Sequence, residues 1–204
     1  MINSRPAWKA MEIIAHRINT LDALSRLAPE LGAEIDIRSR GGRLILHHEP
    51  HAEGPLFSDF AALYARTRRE RLLILNTKED GLDKEILAIL AQNGLKRFFF
   101  LDLSLPSAVR LALRQNEGRL ALRVSEYEPA ESLGPFKGRA QWAWLDCFEG
   151  RPPSAKTARE LRKDFKVCLV SPELEGYPKE SIALFKPLAA HADAVCTKHP
   201  ELWR

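Results

Sequence analysis

A chain of 204 residues with 45% hydrophobic and 28% charged residues is long enough to bury a large core and fits one domain spanning residues 1–204. The net charge of +4, from 31 basic and 27 acidic residues, is a mild excess without an aromatic ladder among the basic residues, which argues against a nucleic-acid partner. No run approaches the ~20 apolar residues that span a bilayer, and MINSRPAWKAMEII lacks the apolar stretch and cleavage site of a signal peptide, so no transmembrane segment and a cytoplasmic location are expected.

Taken in order, the chain alternates between strand and helix periods. Met11 to Ala15 is a short apolar run ending at His16, and Thr20 to Leu31 carries Leu21, Leu24, Leu27, Ala28 and Leu31 at helical spacing, with Asn19 or Thr20 as N-cap. After Gly32, at a good helix C-terminal position, Ala33 to Ile37 reads as a strand. Leu44 to His47 leaves the Gly41-Gly42 turn as a hairpin arm or an excursion above the sheet, and Phe57 to Ala65 is helical. Arg66, Arg68, Arg69 and Arg71 then read as a solvated helix end.

The second half keeps this rhythm. Leu72 to Leu75, Phe98 to Leu101, Leu120 to Val124, Gln141 to Leu145, Val167 to Val170 and Ala192 to Cys196 are strand-like. Helical patterns cover Leu82 to Leu90, Pro106 to Leu113, Ala155 to Leu161 and Ser181 to Leu188, whereas Pro129 to Phe136 is poorly patterned. Leaving out Leu44 to His47 gives eight strands, each followed by helix or irregular chain, and eight is the number that closes into a (β/α)8 TIM barrel. The fold class is therefore α/β, a compact TIM barrel with some short helices, with a doubly wound open sheet as the alternative. Cys147, Cys168 and Cys196 follow apolar runs without CxxC spacing and are expected as buried thiols. The tryptophans at 8, 142, 144 and 203 read as structural.

In such a barrel, polar residues just past the strand C-termini converge on one mouth. The first three units are the richest: His16 and Arg17, then Glu34 and Asp36, then Asn76 and Lys78. Glu34 and Asp36 are one residue apart, so on a strand both carboxylates point inward while Ile35 and Ile37 face the helices. Unpaired carboxylates are costly there, and oxygen ligands select Mg²⁺ or Ca²⁺. Asn76 adds a carbonyl oxygen to that shell, while Arg17 and Lys78 add positive charge for a phosphate. His16 and His48 at the edges supply an acid/base pair, and Arg123 and Glu126, further round the mouth, are placed as substrate-binding residues.

These residues resemble the glycerophosphodiester phosphodiesterases and their phospholipase-like relatives. That family has His-Arg-Gly after its first strand, Glu-x-Asp on the second, a Gly turn and His-Asp, Glu-x-Lys on the third, and a closing segment like D-G-I-I-T-D-x-P. Here the pieces are His16-Arg17-Ile18, Glu34-Ile35-Asp36, Gly42 followed by His48-Glu49, Asn76-Thr77-Lys78, and Asp193 to Pro200 (DAVCTKHP), in the same order from residue 13 to residue 202. The resemblance implies Glu34, Asp36 and Asn76 around a divalent cation, His16 and His48 as catalytic acid and base, and Arg17 and Lys78 on the phosphate of a small phosphodiester. Ile18 in place of Gly, a first loop compressed to Ile18-Asn19, Asn76 in place of a carboxylate and His-Glu for His-Asp mark a divergent member. The expected activity is hydrolysis of a glycerol- or lipid-derived phosphodiester. A barrel that keeps the anion pocket as a binding or scaffold protein is the second reading.

Overall fold

The computed structural model describes residues 11–204, and Trp8 with the rest of the N-terminal ten residues lies outside them. The strands are β1 (Glu12–Ala15), β2 (Gly32–Arg40), β3 (Arg43–Leu46), β4 (Leu73–Thr77), β5 (Phe98–Leu101), β6 (Ala121–Val124), β7 (Trp142–Leu145), β8 (Lys166–Val170) and β9 (Ala194–Thr197). Eight of them lie in the order β5-β4-β2-β1-β9-β8-β7-β6, every neighbouring pair parallel. The two ends of this path meet at a single parallel bridge, Phe100 to Leu120, where the Phe100 N–H donates to Arg119 O at 2.9 Å. The sheet thus curls into a nearly closed TIM barrel, not a doubly wound open sheet.

β3 lies outside the barrel path. It pairs antiparallel with β2 from Ile37↔Leu46 to Arg40↔Arg43, beyond the register Ile37↔Thr77 at which β2 leaves β4. Gly41 and Gly42 make this turn at φ +56 and +71, a region open to glycine at little cost. The stretch after Gly41-Gly42 is therefore a hairpin arm standing above the mouth, and the histidine pair follows it.

The helices are α1 (Leu21–Arg26), α2 (Phe57–Arg68), α3 (Asp83–Gln92), α4 (Leu105–Val109, continued by a π turn over Arg110–Arg114), α5 (Ala155–Leu161) and α6 (Ile182–Phe185). Pro129 to Phe136 forms no α-helix but a 3₁₀ segment, Ala130–Phe136. Two expectations are corrected. The first helix stops at Arg26 instead of running to Leu31, because Leu27 is already extended at ψ 134 and Pro29 disfavours a helical residue before it. The arginine cluster is not a simple solvated helix end. Arg68 is buried and donates to Leu27 O and Thr67 Oγ1, and Arg71 Nε donates to Pro29 O at 3.2 Å, tying α2 to the chain after α1.

Strand alternation sorts the apolar residues into two cores. Ala33, Ile35, Ile37, Leu73, Leu75, Phe98 and Phe100 join the helices in the outer core. Ile14, Ile74, Phe99, Trp142, Trp144, Cys168, Val170, Ala194 and Cys196 fill the barrel interior. Phe99 packs on Trp142 with ring centroids 4.8 Å apart, which makes an aromatic plug of the interior and leaves the polar residues of the strand C-termini as its lid. All three cysteines are buried and free, and Trp142, Trp144 and Trp203 are buried. Among the described residues, no helix is long and apolar enough to cross a membrane.

Gly32 opens β2 and is needed for closeness, not for helix capping. A Cβ there would stand 2.4 Å from Leu72 O and 2.4 Å from Ile14 Cδ1, so a backbone would have to shift. Gly32→Ala is expected to cost about 1–3 kcal/mol, as overpacking of a rigid core does, read as a lowered urea midpoint at unchanged slope.

Candidate active site

The barrel mouth on the side of β1, β2 and β4 gathers six of the residues singled out from the sequence. Glu34 and Asp36 are 1% and 0% exposed, with Asn76 at 7%, so the carboxylates lie within the mouth and not at a frayed strand end. The register Asp36↔Asn76 sets the amide beside the acids. Lys78 Nζ lies 3.1 Å from Asp36 Oδ1, Arg17 Nε 3.8 Å from Asp36 Oδ2, and His16 Nε2 3.8 Å from Glu34 Oε2.

Local backbone geometry builds this cluster. Where β1 ends, the His16 N–H donates to Thr197 O at 2.9 Å and the Ile18 N–H to Glu34 O at 2.8 Å, carrying the loop across the top of β2. Arg17 between them adopts φ +55, a strained region for a side-chain-bearing residue, and its N–H is thereby turned onto Glu34 Oε2 at 2.7 Å. Asn19 then grips Asp36 at two points. Its Nδ2 donates to Asp36 Oδ2 at 2.7 Å, and its Oδ1 accepts the Asp36 N–H at 2.9 Å.

Asn19 is the residue that sequence reasoning missed. By sequence it suits a helix cap as well as Thr20 does, but Thr20 takes that part by accepting the Ala23 N–H at 3.0 Å, which frees Asn19. Glu173, past the end of β8, is also buried, accepting from Ser171 Oγ, from Thr197 Oγ1 at 2.6 Å and from the Lys198 N–H at 2.9 Å.

Burial sets the charge states. Glu34 is pushed up to about 7, first by removal from water and then by the neighbouring Asp36 charge, against weaker help from the Arg17 N–H and the Asn76 amide. His16 is pushed down to about 3, first by burial and then by the Arg17 and Lys198 charges, so its imidazole is neutral at pH 7. Four buried polar atoms here have no hydrogen-bond partner: His16 Nδ1, Glu34 Oε1, Asp36 Oδ1 and Asn76 Oδ1, although Asp36 Oδ1 has Lys78 as its ion partner. Buried atoms of this kind are uncommon in a folded protein. Three are oxygens that match the donor preference of a hard divalent cation, so these side chains fit such an ion. No group of three or more His, Cys, Asp or Glu side chains is gathered for a metal among the described residues, and the third oxygen here is an amide's.

The remaining predicted residues lie elsewhere on the mouth. His48 stands on the rim, its Nδ1 2.6 Å from Glu49 Oε1, and it makes no hydrogen bond or ion pair with Glu34 or Asp36. That hydrogen bond holds the Glu49 carboxyl below its ordinary range. Arg38 anchors the rim by donating twice to His48 O, at 3.1 and 2.9 Å. His47 turns back on the Glu49 backbone. Arg123 projects from β6 on the far side, where it pairs with Asp102, with Asp146 at 3.0 Å and with Glu128 at 3.9 Å. Glu126 accepts the Phe148 and Glu149 N–H groups at 3.1 and 3.2 Å, which ties one loop to the next.

No family model matches the chain, and no curated protein matches it. Solved structures do. A glycerophosphodiester phosphodiesterase from Agrobacterium tumefaciens str. C58 superposes with a TM-score of 0.69 at 14% identity, over 95% of this chain and 98% of that one. This chain shares the fold of glycerophosphodiester phosphodiesterases. A glycerophosphoryl diester phosphodiesterase from Parabacteroides distasonis gives a TM-score of 0.66 at 13% identity, over 96% of this chain and 85% of that one. Tryptophan synthase subunit alpha from Campylobacter jejuni gives 0.60 at 14% identity over 97% of this chain and 90% of that one, so the fold by itself does not select an activity.

Two outcomes follow from this geometry. Asn19→Ala removes two hydrogen bonds from buried Asp36, one to its carboxylate and one from its N–H, and is expected to cost about 1–3 kcal/mol, read by urea unfolding. The second concerns pH. Glu34, raised from 4.5 to about 7, holds a proton that the unfolded chain releases, so its stabilisation is full below about 4.5 and lost as pH rises towards 7. His16, lowered from 6.5 to about 3, excludes a proton that the unfolded chain binds, so its contribution is lost as pH falls through that window. The two slopes oppose each other between pH 4.5 and 6.5. In EDTA, His16→Gln is expected to lose stability steadily over that interval while the wild type stays flatter, as read from urea midpoints.

Proposed function

We propose that this chain is a divalent-cation-dependent phosphodiesterase acting on a small glycerol- or lipid-derived phosphodiester. The observation that carries this reading is the set of three buried oxygens without a hydrogen-bond partner, on Glu34, Asp36 and Asn76, that of Asp36 paired only with the Lys78 ammonium, beside a neutral His16 and the cations Arg17 and Lys78. The order of the motifs along the chain favours phosphodiester chemistry over the other activities that this fold hosts.

Glu34, Asp36 and Asn76 would hold Mg²⁺ or Ca²⁺, which when bound supplies charge stabilisation to a phosphoryl oxygen. Arg17 and Lys78 bind the phosphate, the first as a planar fork and the second as a point charge. Neutral His16 accepts the proton of a substrate hydroxyl as its oxygen bonds to phosphorus. Its basicity is held down first by burial and then by Arg17, Lys198 and Lys78, and a bound phosphate anion offsets those charges, so the imidazole becomes a better base when substrate is present. The bond from phosphorus to the leaving alcohol breaks, and that alcohol takes a proton from His48, whose Nδ1 engages Glu49 and whose Nε2 is left for the transfer. For that transfer His48 would have to turn inward from the rim, where it now engages Glu49. On the far side of the mouth, Arg123 and Glu126 limit what alcohol fits.

A second reading has one observation in its favour. Lys78 sits 3.1 Å from Asp36 and neutralises it without a metal, which suits a barrel that binds a phosphate ligand and does not cleave it. The two are separated by a screen of phosphodiesters with Mg²⁺ or Ca²⁺, on wild type and His16→Ala. Turnover that drops at least about 100-fold in His16→Ala, the scale of lost acid–base catalysis, is the expected result. Cation and phosphate binding without His16-dependent turnover would leave the binding protein as the answer.

A further inference from the structure

Just past the end of β9 stands a lysine to which neither the predicted site nor the chemistry above gives a ligand. Cys196 lines the barrel interior, and Lys198 follows it by two residues, so the alternation of the strand sets Lys198 in the inward-facing register, as it sets Asn76 and Lys78 after Ile74 on β4. The β1–β9 register Ala15↔Thr197 puts the next residues, His16 and Lys198, side by side on the rim. Lys198 is exposed, yet its charge is among those that act on the His16 imidazole.

Its backbone is fixed, while its side chain makes one long hydrogen bond. The buried Glu173 carboxylate accepts the Lys198 N–H at 2.9 Å and the Thr197 hydroxyl at 2.6 Å, while the Trp203 indole donates to Ser171 Oγ at 2.9 Å and Ser171 in turn donates to Glu173. Lys198 Nζ rests 3.4 Å from Glu173 O, a neutral carbonyl. Lys78, by contrast, is engaged with the Asp36 carboxylate. An ammonium on a four-carbon stem, anchored at its root and not paired with any carboxylate among the described residues, is free to turn to an anion arriving beside His16.

We propose that Lys198 is a third phosphate-binding cation of this mouth, acting with Arg17 and Lys78 on the phosphate group of the ligand. The proposal rests on the reading of this mouth as an anion pocket. With the three cations set round His16 on different strand ends, the phosphate is held from the β1, β4 and β9 sides, and Lys198 sets affinity without entering the proton transfers.

Inorganic phosphate is the probe, titrated calorimetrically in EDTA at fixed ionic strength against wild type, Lys198→Met, Lys198→Arg, Lys78→Met and, as a control at the opposite end of the barrel, Lys166→Met. Lys198→Met is expected to weaken phosphate about tenfold, the scale of a lost charge-assisted contact, and to make binding less dependent on salt, while Lys198→Arg and Lys166→Met stay within about twofold of wild type. Unchanged melting of each variant confirms that the fold is intact. If Lys78→Met weakens phosphate but Lys198→Met does not, the role of Lys198 is overturned and the pocket stands. If the wild type binds no phosphate, or if neither Lys78→Met nor Lys198→Met alters binding, the anion pocket itself falls and Lys198 with it.

Discussion

Two carboxylates one strand step apart, buried in the mouth of a barrel, are the constraint that the rest of the site answers. Glu34 and Asp36 are each fully removed from water, and two like charges in that setting repel strongly. Every neighbour lowers that repulsion. Arg17 gives a backbone N–H by adopting a left-handed conformation, Asn19 satisfies Asp36 from two directions, and Lys78 supplies the opposite charge. What these leave uncompensated is taken up by a proton on Glu34 near neutral pH. The same burial and the same cations keep His16 neutral, so the charge states of acid and imidazole are two results of one arrangement.

The mouth divides into two electrostatic halves. On the β1, β2 and β4 side the polar atoms are incompletely paired, with four buried atoms lacking hydrogen-bond partners. On the β5 to β8 side Arg123 is surrounded by Asp102, Asp146 and Glu128, and it also lies over the Phe148 ring at 5.3 Å from its centroid. A guanidinium so fully engaged has little left for a ligand. The chemistry open to this barrel is concentrated on the first half, and the second is mostly braced against itself.

Much of this was readable from residue order. Short apolar runs such as LLIL and WAWL, separated by helical patterns, carry the parallel barrel, because side-chain direction in a strand follows directly from sequence spacing. The same rule put Glu34 and Asp36 on one face. What escaped depends on where loops fold back. Asn19 meets Asp36 across 17 positions of chain, and nothing local marks it as anything but a helix cap. Arg68 looks like any exposed cation in a run of arginines until the chain after α1 is laid over it. His48 is adjacent in sequence to a residue pair of the hairpin arm, but the arm's height above the mouth, fixed by the β2–β3 register, decides whether it touches the acids. The β5–β6 junction was equally hidden, since the spacing of strands counts them without saying how well the last pair joins.

That junction has its own consequence. Seven parallel pairings are ladders, whereas the eighth is one bridge at Phe100 and Leu120, flanked by a short α4, a π turn and a 3₁₀ segment in place of full helices. A cleft of about 510 Å³ lies along it, lined by Leu101, Leu105, Leu133 and Phe136. A ring is mechanically as strong as its weakest link, so the barrel behaves as a sheet rolled up and pinned at one point. The facing edges of β5 and β6 are thus the place where the ring has fewest backbone hydrogen bonds to lose, and the carboxylate cluster on β2 lies beyond β4 from that seam.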